Sequence, residues 1–290
     1  MASHPSPRQI LKTLFPHLKV AAGYANQIQS KIKALPDKGL GNNFFSAALT
    51  DADISIQTLI EVVLLGTFPE LRFHGEEYEQ SRNTKYFRAT DLGSSGDYLV
   101  TLDPIDGTKF YLDGHNNYQI ILSILNADDF EAVIAISPAQ HTYYYALRGE
   151  GTYQGNLDKD LEACTPLIIN HPKPVILLGW GMSFLKPVLT QKYQVIEVEN
   201  DYSTEIKIPN VNGILANEIT GLAIRRGKFI DGGALSFLAR EAGCIVTTLD
   251  GSSLPPLSAC QDYSLPGLLI ATSELVHQDL LEASQQSIRS

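Results

Sequence analysis

The sequence predicts an α/β (α+β) chain whose two halves differ in design. Residues 98–147 contain apolar, β-branched runs separated by short connections, which is typical of an antiparallel meander. Residues 175–224 instead alternate strand-like and helical segments, which indicates an α/β layer. The loop that carries Pro172 and Pro174 lies between the two patterns. We therefore predict two halves, residues 1–170 and residues 171–290.

The composition suits a soluble enzyme. The chain has 290 residues, of which 44% are hydrophobic, enough for a substantial core. Its net charge of -10 argues against a nucleic-acid polymer as partner, since phosphate backbones are bound by clustered Lys and Arg. No apolar stretch is long enough to cross a bilayer, and residues 1–8 lack the features of a signal peptide. We predict a cytoplasmic protein with no membrane partner and, from three cysteines without Cys-x-x-Cys spacing, reduced thiols.

The first half begins with two predicted helices. Apolar residues three or four apart predict helices over residues 9–32 and 53–65. Between them, residues 34–41 are rich in Pro, Gly and Asp and are predicted as a loop that contains Lys38. Strands are predicted at residues 44–49 and 71–74, and the polar residues 79–96 form a surface excursion between two strands.

The segment after residue 98 carries the strongest chemical signal. An apolar run over residues 98–102 predicts a strand that stops at Asp103-Pro104, because proline removes a backbone donor. The turn then sets Asp103 and Asp106 three residues apart, so that both carboxylates face one small volume. Close carboxylates repel unless one is protonated or a cation lies between them, and hard divalent cations prefer oxygen ligands. Mg²⁺ is the natural candidate.

The next two residues suit an anion. Gly107 lets the backbone approach a ligand closely, and Thr108 offers a hydroxyl at the predicted start of a short helix, where N–H groups attract phosphate. The alternative is an ordinary Asp-Pro turn and helix start, which bind nothing in many proteins.

The second half is predicted to end in two helices and two further strands. One helix begins at Asp231 and closes at Gly243, and another begins at about Ser273. Asp231 needs no ligand to be explained, because aspartate is among the preferred N-cap residues. In the first half, Glu76 and Glu77 are adjacent in sequence, and such a pair is usually solvated surface charge. The predicted strands are 175–179, 195–198, 221–224, 244–249 and 267–271, with helical segments at 185–193 and 211–219.

Four motifs together resemble a known family. Asp103-Pro104-Ile105-Asp106-Gly107-Thr108 resembles the signature of the inositol monophosphatase-like, Mg²⁺-dependent, lithium-sensitive phosphatases, which include fructose 1,6-bisphosphatases and 3'(2'),5'-bisphosphate nucleotidases. Gly75-Glu76-Glu77 and Thr50-Asp51-Ala52-Asp53 are similar to two motifs that precede the signature in that family, and Asp231-Gly232-Gly233-Ala234 to the last motif. The motifs occur in the family's order and span most of the chain.

The resemblance implies a layered αβαβα sandwich and a phosphomonoesterase that uses a metal-activated water, without a covalent phosphoenzyme. It implies that two or three Mg²⁺ ions bind to Glu76, Asp103, Ile105 (through its carbonyl), Asp106 and Asp231. Asp53, Glu76 and Thr108 become the catalytic residues, with the Thr108/Asp53 pair orienting the water. Asp103, Gly107 and Thr108 contact the phosphate. The substrate is then a small phosphorylated metabolite, Lys38 is a candidate to approach the site, and a homodimer is a family expectation.

The sequence departs from the family near its last motif. Ile230 replaces the usual tryptophan, and Ile224 aligns near the acidic residue that contacts inositol hydroxyls. Lys109, Arg225 and Arg226 are instead weak candidates for substrate contacts and hint at a second phosphate. The alternatives are therefore a 3'(2'),5'-bisphosphate nucleotidase, a sugar bisphosphatase, or a catalytically idle relative that binds a metabolite or a protein.

Overall fold

The computed structural model describes residues 5–32, 50–77, 92, 97–170 and 172–289. The predicted loop around Lys38, the predicted strand 44–49 and nearly all of the excursion 79–96 lie outside these residues. The chain divides into two compact units, the first made of Met1–Arg148 and Gln154–Thr165, the second of Gly149–Tyr153 and Pro166–Ser290. The mixed α/β class predicted from the sequence is confirmed.

Within the described residues, the first unit combines three helices with a sheet. Helix α1 is capped by Ser6, whose hydroxyl and backbone N–H exchange hydrogen bonds with Gln9, and α1 contacts both α2 and strand β4. The helices are α1 (Pro7–Ile28), α2 (Asp51–Thr67) and α3 (Thr108–Leu112). The strands are β1 (Arg72–Gly75), β2 (Leu99–Asp106), β3 (Gln119–Leu125), β4 (Phe130–Ser137) and β5 (Thr142–Leu147), and the sheet continues with β6 (Thr152–Asn156) and β7 (Thr165–Pro166).

Strands β2 to β5 form the predicted antiparallel meander, and β1 adds to β2 in parallel. The prediction that the strand stops at Asp103-Pro104 is wrong, because β2 continues to Asp106. Its register against β3 shifts between Asp103 and Asp106. Such an irregularity accommodates Pro104, which has no N–H to give to the ladder.

The second unit is built on a five-stranded sheet in the order β12-β14-β10-β8-β9. Strands β8, β9 and β10 are parallel, while β14 runs antiparallel to β10 and β12. The strands are β8 (Val175–Leu178), β9 (Gln194–Glu197), β10 (Gly221–Ile224), β12 (Ile245–Thr248) and β14 (Leu268–Ala271), with a separate pair β11 (Gly227–Lys228) and β13 (Ser264–Leu265). The helices are α4 (Lys186–Leu189), α5 (Val198–Asp201), α6 (Gly232–Glu241) and α7 (Glu274–Arg289).

The helices of the second unit agree only in part with the sequence prediction. The helix that starts after Asp231 is confirmed, and Gly243 follows it with a φ of 90°, as expected of a glycine that ends a helix. The predicted helix over 211–219 is wrong, since only a 3₁₀ turn, Val211–Ile214, is present. Asn217 has a φ of 60°, a left-handed conformation that interrupts a helix. Among the described residues, no helix is both long and apolar enough for a membrane span.

Asp279 attaches helix α7 to the segment that precedes β9. Its carboxylate accepts hydrogen bonds from Lys192 at 2.5 Å and from the Tyr193 hydroxyl at 2.6 Å. Burial alone raises the pKa of Asp279, but the hydrogen bonds from Lys192 and Tyr193 outweigh it and leave the pKa below its ordinary value.

This lowered pKa predicts an acid-dependent contribution to stability. The carboxylate stabilises the fold above its unfolded-state pKa, about 4, and that contribution is lost as pH falls through the lower folded-state pKa. We expect Asp279→Asn to lower the free energy of unfolding at neutral pH, and the difference from wild type to shrink on acidification. Urea denaturation over a pH series measures it. A difference that is independent of pH would contradict the account.

Candidate active site

Two predicted site residues lie side by side on neighbouring parallel strands, with Glu76 just after the end of β1 and Asp103 within β2. Strand β1 pairs with β2 so that Gly75 stands opposite Leu102, and the N–H of Glu76 donates to the Leu102 carbonyl at 3.0 Å. Glu76 and Asp103 are the next residues on the two strands. Since adjacent strands lie about 4.8 Å apart, the main chains of these two acidic residues are neighbours.

Asp103 and Asp106 lie on either side of the irregularity in β2. Asp103 is 3% exposed. The Asp106 carboxylate accepts a hydrogen bond of 2.6 Å from the side-chain amide of Gln119, which is fully buried in β3. Gln119 was not recognised from the sequence, because one polar residue at the start of an apolar strand does not reveal which residue it contacts.

The turn after Asp106 is shaped by Gly107, whose φ of 84° and ψ of 38° are left-handed. A residue with a Cβ would be strained in this conformation, so the glycine is required for α3 to start where it does. The hydroxyl of Thr108, the first residue of α3, lies 2.9 Å from the Ile105 carbonyl and 3.3 Å from Oδ1 of Asp53. The structure therefore brings Thr108 and Asp53 together, as the resemblance implied.

Asp53 is fully buried and belongs to the start of α2. Its Oδ2 accepts hydrogen bonds from the Thr50 hydroxyl and from the Thr50 N–H, the latter at 2.8 Å, while the Thr50 hydroxyl accepts from the N–H groups of Ala52 and Asp53. A buried carboxylate is costly without such donors. The capping box thus fixes the helix start and the orientation of the Asp53 carboxylate together.

Helix α2 carries a buried polar face, made of Asp53, Gln57 and Glu61, at intervals of four residues. The Gln57 side-chain amide bonds both backbone groups of Glu77, and it also donates to Glu61 at 3.1 Å. Gln57 was missed by the sequence analysis. The available signal was its position one helical turn after Asp53, on a helix whose other buried residues, apart from Asp53 and Glu61, are apolar.

Asp231 belongs to the second unit and is the N-cap of α6. One carboxylate oxygen accepts a hydrogen bond from the Gly232 N–H, and the other lies 3.7 Å from the Lys228 ammonium. Ile230, which replaces the family's tryptophan, is buried. The capping role is therefore present, and it leaves one carboxylate oxygen outside the helix cap.

The three weak candidates for substrate contacts have different surroundings. The Lys109 ammonium binds both carboxylate oxygens of Asp113, at 2.6 and 2.7 Å. Arg226 lies 3.8 Å from Asp262, with both side chains largely exposed. Arg225 is exposed at the end of β10, where its guanidinium lies against Gly181.

The side chains near the end of β2 suit a hard cation in their chemistry. Glu76, Asp103, Asp106 and the Ile105 carbonyl all offer oxygen, the donor that Mg²⁺ prefers. Within the described ranges, however, no three His, Cys, Asp or Glu side chains are grouped closely enough to hold a metal ion. Asp106 is engaged by Gln119, and Asp231 belongs to the other unit.

These features define a class: a mixed α/β protein with acidic residues on and just after two neighbouring parallel strands, beside a buried Thr–Asp hydrogen bond. Comparison with known proteins agrees. The sequence matches the model of the inositol monophosphatase family over residues 14–289. The chain belongs to the inositol monophosphatase family.

Individual relatives are distant. A protein of Neisseria meningitidis (serogroup A), described as a putative Nus factor SuhB, is 24% identical over 241 residues, covering 80% of this chain and 81% of that protein. The structure of an IMPase from Thermotoga maritima has a TM-score of 0.71 at 15% identity, covering 97% of this chain and 98% of that one. An IMPase/NADP phosphatase complexed with Mg²⁺ and phosphate has a TM-score of 0.67 at 19% identity, covering 95% of each chain.

The contacts of Thr50 predict a measurable loss of stability. Thr50→Ala removes both the N-cap of α2 and a donor to the buried Asp53 carboxylate, and we expect it to lower the free energy of unfolding by about 1–2 kcal/mol. Thr50→Ser keeps the hydroxyl and is the matched control. Chemical denaturation followed by circular dichroism compares them. Equal losses in the two variants would show that the hydroxyl is not the stabilising group.

Proposed function

We propose that this chain is a Mg²⁺-dependent phosphomonoesterase that hydrolyses a small phosphorylated metabolite by direct attack of water. The single observation that carries the proposal is the arrangement around β2. Glu76, just after β1, lies beside Asp103 of β2, and Thr108, at the start of the helix that follows β2, bonds to the buried Asp53. An ordinary Asp-Pro turn needs neither of these contacts.

In this proposal two or three Mg²⁺ ions would be held by carboxylates and one carbonyl, namely Glu76, Asp103, Asp106, Asp231 and Ile105. Bound Mg²⁺ lowers the pKa of a coordinated water and neutralises charge on the phosphate and on the leaving oxygen. Four carboxylates against two divalent ions carry no net charge, so an anionic phosphate can enter the site. The same carboxylates repel phosphate when no cation is present.

The Thr108 hydroxyl would orient the attacking water. Its one proton is directed to Asp53 or to the Ile105 carbonyl, at 3.3 and 2.9 Å, so a lone pair on the oxygen is left to accept a hydrogen bond from water. When the Thr108 hydroxyl donates to Asp53, the buried carboxylate accepts the hydrogen bond without moving, since Thr50 fixes its other oxygen. Holding the nucleophile in line in this way lowers the entropic part of the barrier.

The phosphate would be bound by main-chain donors. Gly107 and Thr108 lie at the start of α3, where N–H groups have no partner within the helix. Such groups donate to phosphate oxygens and are fixed before the substrate arrives, so they stabilise developing negative charge at no further cost in reorganisation.

The substrate is proposed only as a class. The names of the relatives point to inositol monophosphates, and one similar structure is an IMPase/NADP phosphatase. A 3'(2'),5'-bisphosphate nucleotidase or a sugar bisphosphatase is the alternative within the class. Ile224 stands near the position of the family's acidic residue, and Arg225 is exposed beside it. Lithium sensitivity, a homodimer and a cytoplasmic location belong to the same proposal.

One observation favours a second candidate from another class. The relative from Neisseria meningitidis is described as a putative Nus factor. This chain would then be a catalytically idle member that acts by binding a protein partner or a metabolite. Under that alternative the carboxylates of Glu76 and Asp103 have no role in catalysis.

Asp103→Asn tests the phosphatase most simply. Replacing a buried charged ligand by a neutral amide should lower Mg²⁺-dependent phosphate release by at least about 100-fold, because even outer-shell partners of metals cost 10–100-fold. Asp128→Asn, an exposed acid in the turn before β4, is the control and should keep full activity. Equal activity of the two variants would remove Asp103 from the site.

A substrate panel separates the two candidates. Purified protein is incubated with inositol monophosphates, 3'-phosphoadenosine 5'-phosphate and fructose 1,6-bisphosphate, with Mg²⁺ and then with added Li⁺, and released phosphate is measured. If the chain is a phosphatase, we expect Mg²⁺-dependent release of phosphate from at least one compound and inhibition of that release by Li⁺. No release from any of them would favour the idle relative.

A further inference from the structure

The side-chain amide of Gln57 bonds to the backbone N–H and C=O of Glu77, as the backbone of a neighbouring β-strand would. Its Oε1 accepts a hydrogen bond of 2.8 Å from the Glu77 N–H, and its Nε2 donates one of 2.6 Å to the Glu77 carbonyl. The two bonds run in opposite directions, so the orientation of the amide is determined by its partners. Gln57 is 5% exposed and Glu77 1%, so water does not replace these bonds readily.

Gly75 provides the space for this contact. A Cβ placed on Gly75 would lie 2.2 Å from Oε1 and 2.3 Å from Cδ of Gln57. Such distances are far below van der Waals contact, so a larger residue at 75 must displace the amide. Gly75 and Gln57 therefore form one fitted pair.

The pair holds the residue that follows Glu76. The N–H of Glu76 is bonded to Leu102 of β2, and the next residue, Glu77, is bonded through both backbone groups to Gln57 of α2. The segment Glu76-Glu77 is thus fixed by strand β2 at the first residue and by helix α2 at the second. Asp53, one turn earlier on the same face of α2, is bonded to Thr108.

We propose that Gln57 is a positioning residue that sets the affinity of the site for Mg²⁺ by holding Glu76 at the end of β1. The inference rests on the proposed function only in taking Glu76 as a metal ligand. In this proposal Gln57 acts through the backbone of Glu77 and not by contact with the substrate or the water. Its loss therefore weakens metal binding and leaves the step governed by Thr108 and Asp53 intact once the metal is bound.

Gln57→Leu is the principal test, because leucine has a similar volume but no hydrogen-bonding groups. We expect the Mg²⁺ concentration for half-maximal activity to rise by about 10–100-fold, as for other residues that orient metal ligands, while kcat at saturating Mg²⁺ changes little. Thr108→Val should show the opposite split, with kcat reduced at every Mg²⁺ concentration. Calorimetric titration of the substrate-free protein with MgCl₂ provides a readout that does not depend on activity.

A control separates positioning from general loss of stability. Ile60→Val alters a fully buried residue of the same helix and should cost about 0.5–1.5 kcal/mol of stability while leaving Mg²⁺ affinity unchanged. If Gln57→Leu lowers stability as Ile60→Val does but binds Mg²⁺ as wild type does, Gln57 is merely structural and the proposal is wrong.

A double-variant cycle tests the fitted pair. Gly75→Ala alone should weaken Mg²⁺ binding, because the new methyl group displaces the Gln57 amide. Gln57→Ala removes the obstacle, so Gly75→Ala should add almost nothing in that background. Full additivity would contradict the proposal. Should wild type bind Mg²⁺ in the titration yet release no phosphate from any compound, the proposed function fails while the positioning role remains testable by binding.

Discussion

The buried polar face of α2 is the constraint on which the rest of the site depends. A carboxylate and an amide on the buried face of a helix destabilise the fold unless each polar group has a hydrogen-bond partner. Asp53 is bonded to Thr50 and Thr108, and Gln57 is bonded to Glu77. A rotation of the helix by one residue would break the hydrogen bonds to Thr108 and Glu77 at once, because both partners lie outside the helix. The helix therefore has one acceptable orientation, and that orientation fixes both the Thr108 turn and the segment that carries Glu76.

Two of the acidic residues that the proposal assigns to the metal site also have structural contacts. Asp231 caps α6 through one oxygen, and Asp106 is held by Gln119. In both cases a hydrogen bond restricts the side chain to one orientation, so less entropy is lost when a ligand binds. The same logic applies to Glu76, whose backbone N–H is bonded to Leu102. Such prior restraint matters for Mg²⁺, which demands near-ideal geometry.

Most elements of the fold were predictable from local patterns, since the strands of the meander and the helix after Asp231 have clear periodicity and clear ends. The course of β2 through Pro104 was not, because the irregularity depends on pairing with β3. The pairing of Asp53 with Thr108, distant in sequence, was reachable only through resemblance. Gln57 and Gln119 were missed because a single buried amide becomes informative only when its partner is known.

The central claim is that acidic residues separated in the chain bind divalent cations in one site. The most direct measurement is anomalous diffraction from a crystal soaked in MnCl₂, because Mn²⁺ replaces Mg²⁺ at oxygen sites and can be located without prior assumptions. The account predicts an anomalous peak within bonding distance of oxygens of Asp103 and Glu76. A map with no peak at these carboxylates, or with peaks only at exposed acids elsewhere, would contradict it.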